Sequence, residues 1–441
     1  MKRRSLLAGA TALALARPAF ASTPTKVVFW HSMNGALGDE LDKLIARFNA
    51  SQSAYEVVGV FKGGYAEALT AAIAAWRAGQ APHIVQVFEV GTGSMIAAGP
   101  AVKPLWQLVQ ETGAPIKPEN YIASVRGYYS LADGRMASMP FNSSTAVMWH
   151  NQDAFEKAGL DPAKPPATWP ELVQAAEVLQ AKKVTDYAVT TSWPTWIHFE
   201  QFAAIHNLPY ATESDGFKGL NAELLVDAAP FVNNLQRLLD MAKAGSFKYA
   251  GRDNLPDPIF YSGQAAITFN SSSSRGALVK SAKFRFADAD LPYDPQVIAK
   301  PINSIIGGAS LWTMTAPRRA EEEYKGVAAF FAFLGQPAQD AEWASVTGYV
   351  PVTFAGSDRM RQQGYFEKNV GADLPVLQLE RLPVTDNSRG IRLGNMPEIR
   401  VIIEEEWEKA LGGQQDAKTA LANAVSRGNA VLRSFQRSVG G

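Results

Sequence analysis

Few residues in this chain could carry chemistry unaided. It has five histidines, His31, His83, His150, His198 and His206, and no cysteine. No histidine pair has the H-x-x-x-H spacing with a supporting Glu that sets two imidazoles on one helix face, so no metal site is expected. There is no G-x-S-x-G elbow, G-x-x-x-x-G-K loop or G-x-G-x-x-G turn, so the marked forms of acyl transfer and of nucleotide cradling are absent. The acid runs at Glu321 to Glu323 and at Glu404 to Glu406 fall in helical patterns and read as solvated faces. Binding is therefore expected before catalysis, with no cofactor.

Small polar and aromatic residues carry more information. Ser143 and Ser144 in "MPFNSSTAVMWHNQDAFEKAG" stand just before the apolar run Ala146, Val147, Met148, Trp149. They are either turn residues or hydroxyls facing a ligand. Trp193 and Trp196 in "TTSWPTWIHFE" lie three apart, a spacing that would put both indoles on one side of a helix's first turn. Core packing explains them. So does a flat apolar surface for the C–H groups of a sugar or polyol.

Such residues need elements to hold them. Residues 26–31 read as a buried strand, followed by Leu37, Leu41, Leu44, Ile45 and Phe48 at helical spacing. Residues 55–61 form a second strand, 66–78 a second helix and 83–88 a third strand. This alternation predicts a parallel sheet covered by helices, with ligands beyond the carboxyl ends of its strands. Tyr65 and Glu89 follow strands two and three and fall at that rim. Asn151 is placed to cap a helix over 152–158 that Gly159 ends. Thr168-Trp169-Pro170-Glu171 is a capping box opening the next helix. A second α/β unit continues through a strand at 187–191, a helix over 226–244 and a strand at 265–269. Residues 304–315 read as two short strands around Gly307-Gly308. Helices at 320–334 and 338–346 and a long amphipathic one through Leu421, Val425, Leu432 and Phe435 complete the chain.

The N-terminus reads as cargo for export. Lys2, Arg3 and Arg4 precede a short apolar stretch and Ala19-Phe20-Ala21, the pattern of a signal peptide cut after Ala21. Arg3-Arg4 also allows the twin-arginine route. Cleavage removes Lys2, Arg3, Arg4 and Arg17 and no acid, taking the neutral 441-residue chain to a net charge of −4. That mild acidity argues against nucleic acid or an anionic membrane as partner. An exported chain without cysteine must rest on its own core.

The run "MPFNSSTAVMWHNQDAFEKAGLDPAKPPATWPEL" resembles the hallmark of the extracellular solute-binding proteins that serve bacterial ABC importers, with His150-Asn151 in place of the usual Tyr-Asn. The segments "FWHSMNGALGDELDKLIARFNA", "QVFEVGTG", "IIGGASLWTM", "TGYVPVT" and "GIRLGNMPEIRVII" extend the resemblance over the mature chain. It implies an α/β, two-lobe periplasmic-binding-protein fold of type II, with a ligand cleft between lobes joined by a hinge. Residues 22–138 and 300–350 would form one lobe, and 139–299 and 351–441 the other. The implied role is capture of sn-glycerol 3-phosphate in the periplasm, as a monomer, for the permease and ATPase of an inner-membrane importer. A glycerophosphodiester such as glycerophosphocholine, or a sugar, is the alternative ligand.

Matching motifs imply a ligand-binding set of Tyr65, Glu89, Ser144, Trp193, Trp196, Ser271, Gly308, Tyr349 and Arg400. Ser271 opens a run of four serines, so its register is open, and Phe88 stands where Tyr is expected. The expected chemistry has Arg400 gripping phosphate oxygens in a planar fork. Ser144, Ser271, the Tyr349 hydroxyl and the Gly308 N–H serve as neutral donors, with Gly308 letting the main chain approach the ligand. Glu89 would accept glycerol hydroxyls at the opposite end, the Trp pair would cover the carbon chain, and Ser143 would hold the turn. The structural alternative for Arg400 is a salt bridge to Glu398 or Glu404.

Overall fold

The computed structural model describes residues 23–439; the expected signal peptide lies outside the described residues. The strands are β1 (Thr25–His31), β2 (Tyr55–Phe61), β3 (Ile84–Phe88), β4 (Val102–Lys103), β5 (Met139–Ser144), β6 (Ala146–Asn151), β7 (Tyr187–Thr191), β8 (Phe247–Lys248), β9 (Ala265–Ser271), β10 (Phe286–Ala289) and β11 (Gly307–Met314), with β3, β5, β6 and β9 buried throughout. β1 pairs in parallel with β2 and β3, and helices Gly35–Ser51 and Tyr65–Arg77 make the crossovers. A parallel crossover needs such a helix to bring the chain back. The first buries the expected Leu41, Leu44, Ile45 and Phe48.

β11 adds antiparallel to β3, and β4 and β5 pair with β11, completing a six-stranded sheet. The second sheet has the order β10-β6-β9-β7-β8. Its local signals work as their chemistry requires. Asn151 Oδ1 accepts the Ala154 N–H at 3.0 Å, Gly159 turns left-handed at φ 81°, and Thr168 and Glu171 form the reciprocal cap of helix Trp169–Lys182.

The chain leaves the first sheet for the second at Thr145 and returns between β10 and β11. It crosses again after helix Leu374–Glu380, whose Val376 and Leu379 belong to the first core, to reach helix Met396–Leu411. Two expected boundaries therefore move. Residues 139–144 belong to the first lobe, because β5 finds its partner in β11. Residues 352 and 353 also pack there: Val352 lies in the first core, and the Val352 and Thr353 N–H groups bond the Asp340 carboxylate at 3.0 and 2.9 Å; farther on, Val370, Gly371 and Leu374 lie against the second lobe. Residues 304–315 hold one strand, starting at Gly307, rather than two.

Candidate ligand-binding site

Between the two sheets lies a cavity of about 300 Å³, at the lower end of the range for small-molecule sites. All nine residues implied by the resemblance line it: Tyr65, Glu89, Ser144, Trp193, Trp196, Ser271, Gly308, Tyr349 and Arg400. Most of them stand at an element end, while Arg400 lies within helix Met396–Leu411. Tyr65 opens the helix after β2 and Glu89 follows β3, at the carboxyl rim of the parallel strands. Ser144 ends β5, Ser271 ends β9, and Tyr349 follows helix Pro337–Thr347.

The Trp pair does not share a regular first turn. Trp193 precedes the helix with φ 48°, a conformation that costs a bulky residue energy, and its N–H donates to the Asp253 carbonyl at 3.0 Å. Trp196 starts a π-helical turn, Trp196–Gln201, a form frequent at functional sites. It is buried against Gly307, where any Cβ would overlap its ring. Trp196 is thus both core and cavity wall.

Arg400 corrects the expected charge layout. Its Nε and Nη2 grip both oxygens of Glu200 at 2.6 and 2.7 Å, and Nη2 also donates to Glu89 Oε1 at 2.6 Å. Glu89 and Arg400 are in contact and do not occupy opposite ends; the ion-pair partners are Glu200 and Glu89, not Glu398 or Glu404. Two buried carboxylates without a countercharge would be too costly, so the guanidinium sits between them. Burial opposes the Arg400 charge, yet Glu200 and Glu89 outweigh it and hold its pKa well above the ordinary value. Burial raises the Glu89 pKa, with Arg400 opposing.

Sequence reasoning missed Glu200. The available signal was a lone acid inside the otherwise largely apolar run "WIHFEQFAAI", which requires a buried partner. Likewise Glu404 and Glu406 are not a solvated face: both are buried, with Glu406 held by Lys409 and Arg427 at 2.7 and 2.6 Å. In the other run Glu321 and Glu322 are exposed, while Glu323 lies 2.7 Å from His83. Phe88 stacks on Tyr65 with centroids 5.4 Å apart and planes 7° apart, so its ring buttresses the site without a hydroxyl.

Neutral donors crowd another part of the wall. Ser271, Ser273 and Ser274 line the cavity with Ser144 and Tyr349, and the Ser271 and Ser273 hydroxyls are 2.8 Å apart. Lys280, on helix Ser274–Ser281, lines it too. Neither Ser143 nor Ser144 is in a turn: both pair with β11, opposite Gly308 and Gly307. Gly308, at φ 92°, answers first to protein, since a Cβ there would overlap the Asn142 carbonyl. Asp257 and Tyr261 also line the cavity and were not anticipated. The Asp257 carboxylate accepts from Ser192 at 2.5 Å and Asn270 at 2.8 Å. Among the described residues no group of three or more His, Asp or Glu is arranged to hold a metal ion, and no helix is long and apolar enough to cross a membrane.

Comparison with known proteins agrees with this architecture. The chain is 44% identical over 440 residues, 99% of each chain, to the sn-glycerol-3-phosphate-binding periplasmic protein UgpB of Escherichia coli O1:K1. It is 42% identical over 432 residues, 98% of each chain, to the protein of that name from Brucella abortus strain 2308. Its fold matches UgpB from Mycobacterium tuberculosis in complex with glycerophosphocholine, with a TM-score of 0.77 at 22% identity, covering 93% of this chain and 99% of that one. It also matches the cyclic alpha-maltosyl-1,6-maltose binding protein from Arthrobacter globiformis, with a TM-score of 0.73 at 21% identity, covering 93% and 100%. The model of the bacterial extracellular solute-binding proteins matches residues 34–341, and with two α/β sheets closing on one cavity the chain belongs to that family.

Proposed function

We propose that this protein captures sn-glycerol 3-phosphate in the periplasm and presents it to the permease and ATPase of an ABC importer. The observation that carries the reading is the convergence of nine separately placed residues on one cavity, in a chain similar throughout to proteins named for that ligand. Charge decides the ligand's orientation. Arg400 is already shared by two carboxylates, so that wall offers no unpaired positive charge to a phosphate dianion. The phosphate therefore lies at the serines, near the start of helix Ser274–Ser281 and Lys280, where neutral donors, a helix N-terminus and a cation favour it. The glycerol hydroxyls meet the Glu89–Arg400 pair, which both accepts and donates. Trp193 and Trp196 cover the carbon chain.

A glycerophosphodiester is the second reading. Trp193, Tyr261 and Asp257 line the same cavity, an aromatic and acidic set suited to a cationic head group. In both readings the protein binds without turning over, acts as a monomer and is exported by the signal at residues 1–21. The test is a thermal-shift and calorimetric screen of sn-glycerol 3-phosphate, glycerophosphocholine, glycerol and maltose, with the recovered ligand analysed. Ligand at a hundredfold over its Kd should add about 2.7 kcal/mol of stability. Binding of maltose alone would overturn the reading, and release of free phosphate or choline would make the protein an enzyme.

A further inference from the structure

Behind the cavity wall runs a chain of amides whose directions are all determined. The Ser32 backbone N–H can only donate, and it donates to Gln86 Oε1 at 2.8 Å. The Gln86 amide nitrogen must then face Asn142, where Nε2 donates to Oδ1 at 2.8 Å. That leaves Asn142 Nδ2 to donate to the Tyr65 hydroxyl oxygen at 3.0 Å. With its oxygen accepting from Asn142, Tyr65 directs its single proton away from Asn142. The hydroxyl of Tyr349, which neighbours Tyr65, Asn142 and Ser273, stands next in line.

Gln86 and Asn142 are fully buried, a costly place for two amides unless their partners are exact in number and direction. The pairing of β5 with β11 shifts register at Ala309/Ser310, so that Asn142 faces Ala309 and Pro140 faces Ser310. Such a bulge re-aims a side chain beside a functional site. We propose that Gln86 and Asn142 are positioning residues that fix the Tyr65 hydroxyl as a hydrogen-bond donor toward an anionic ligand oxygen in the cavity, directly or through Tyr349. This rests on the reading above, that the cavity takes a phosphate ester. Burial keeps both phenols protonated, so each has a proton to give.

Gln86→Glu tests the inference with almost no change of shape. When ionised, its carboxylate still accepts from Ser32 but cannot donate to Asn142; because burial favours the protonated acid, which can donate, binding is read at about pH 9. The Asn142 amide then turns over, its oxygen faces Tyr65, and the Tyr65 proton is drawn out of the cavity. Calorimetry with sn-glycerol 3-phosphate should show affinity falling about ten- to a hundredfold. In a Tyr65→Phe background, where no hydroxyl remains to be aimed, Gln86→Glu should cost less than threefold. Equal losses in both backgrounds would reduce Gln86 to a packing or through-space charge effect and overturn the relay, as would no loss in either. If Gln86→Glu unfolds, as judged by circular dichroism and melting, Asn142→Leu is taken through the same cycle with the same two outcomes. Failure of the unsubstituted protein to bind sn-glycerol 3-phosphate would sink the functional reading and the relay with it, whereas binding with additive losses sinks the relay alone.

Discussion

Arg400 is occupied before any ligand arrives, and this changes what its removal does. Read from the sequence, Arg400→Ala should cost only affinity. With Glu200 and Glu89 both bonded to its guanidinium, the substitution also leaves two buried carboxylates without a countercharge. We expect a loss of about 3–5 kcal/mol in urea unfolding together with loss of sn-glycerol 3-phosphate binding. Unaltered stability would show that Glu89 and Glu200 do not depend on Arg400. That Arg400 and Glu89 share the site was legible from the motifs around them. Their mutual contact was not, because residues 311 positions apart meet only when the chain has crossed between lobes three times.

At the scale of elements, capping chemistry could be read directly, since Asn151, Gly159 and Thr168 act on backbone within four residues. The π-helical turn at Trp196–Gln201 and the bulge in β5 could not, because each is imposed by a partner strand or a packed ring. Gly308 illustrates the difference. Its motif marked a position where main chain approaches something closely; the structure identifies that something as the Asn142 carbonyl of β5. Gly308→Ala meets both this overlap and a φ of 92°. We expect it to destabilise the protein by at least about 1–3 kcal/mol and to displace Asn142. A melting temperature within a degree of the parent would mean that β5 and β11 yield easily. The crossings themselves are tied by Gln378: its side chain bonds Thr145 at 2.6 Å and Asp290 at 3.0 Å, and its carbonyl accepts from Ser304 at 3.3 Å.

For the whole molecule, buried acids set the dependence of stability on pH. Burial, partly offset by Arg252, raises the Glu404 pKa from 4.5 to about 7; burial raises that of Asp340 from 3.8 to about 6 despite hydrogen bonds from Thr353 and Val352. The folded state then holds protons that the unfolded chain has released. The stability linked to these groups is complete below their ordinary values and is lost as pH rises through about 6 to 7. Melting should fall between pH 5 and pH 8, and Glu404→Gln should flatten that decline by about 1–3 kcal/mol. A profile unchanged by Glu404→Gln would place the titration elsewhere. Arg252 is 3.5 Å from Glu404, too loose a pairing to cancel the effect of burial.

What the chain alone determined was local or additive: the strand and helix periods, the caps, the export-like N-terminus, and motifs specific enough to name a family and to point to nine positions that line one cavity. These depend on side chains a few residues apart, or on residue types whose spacing stays recognisable without coordinates. The tertiary structure decided everything that depends on two distant segments sharing one low-dielectric space. There Glu200 claims Arg400, β5 joins the first sheet rather than the second, and Gln86 and Asn142 aim a phenol they lie 21 and 77 residues from. Charges and amides buried together must satisfy one another, and which ones meet is settled by topology.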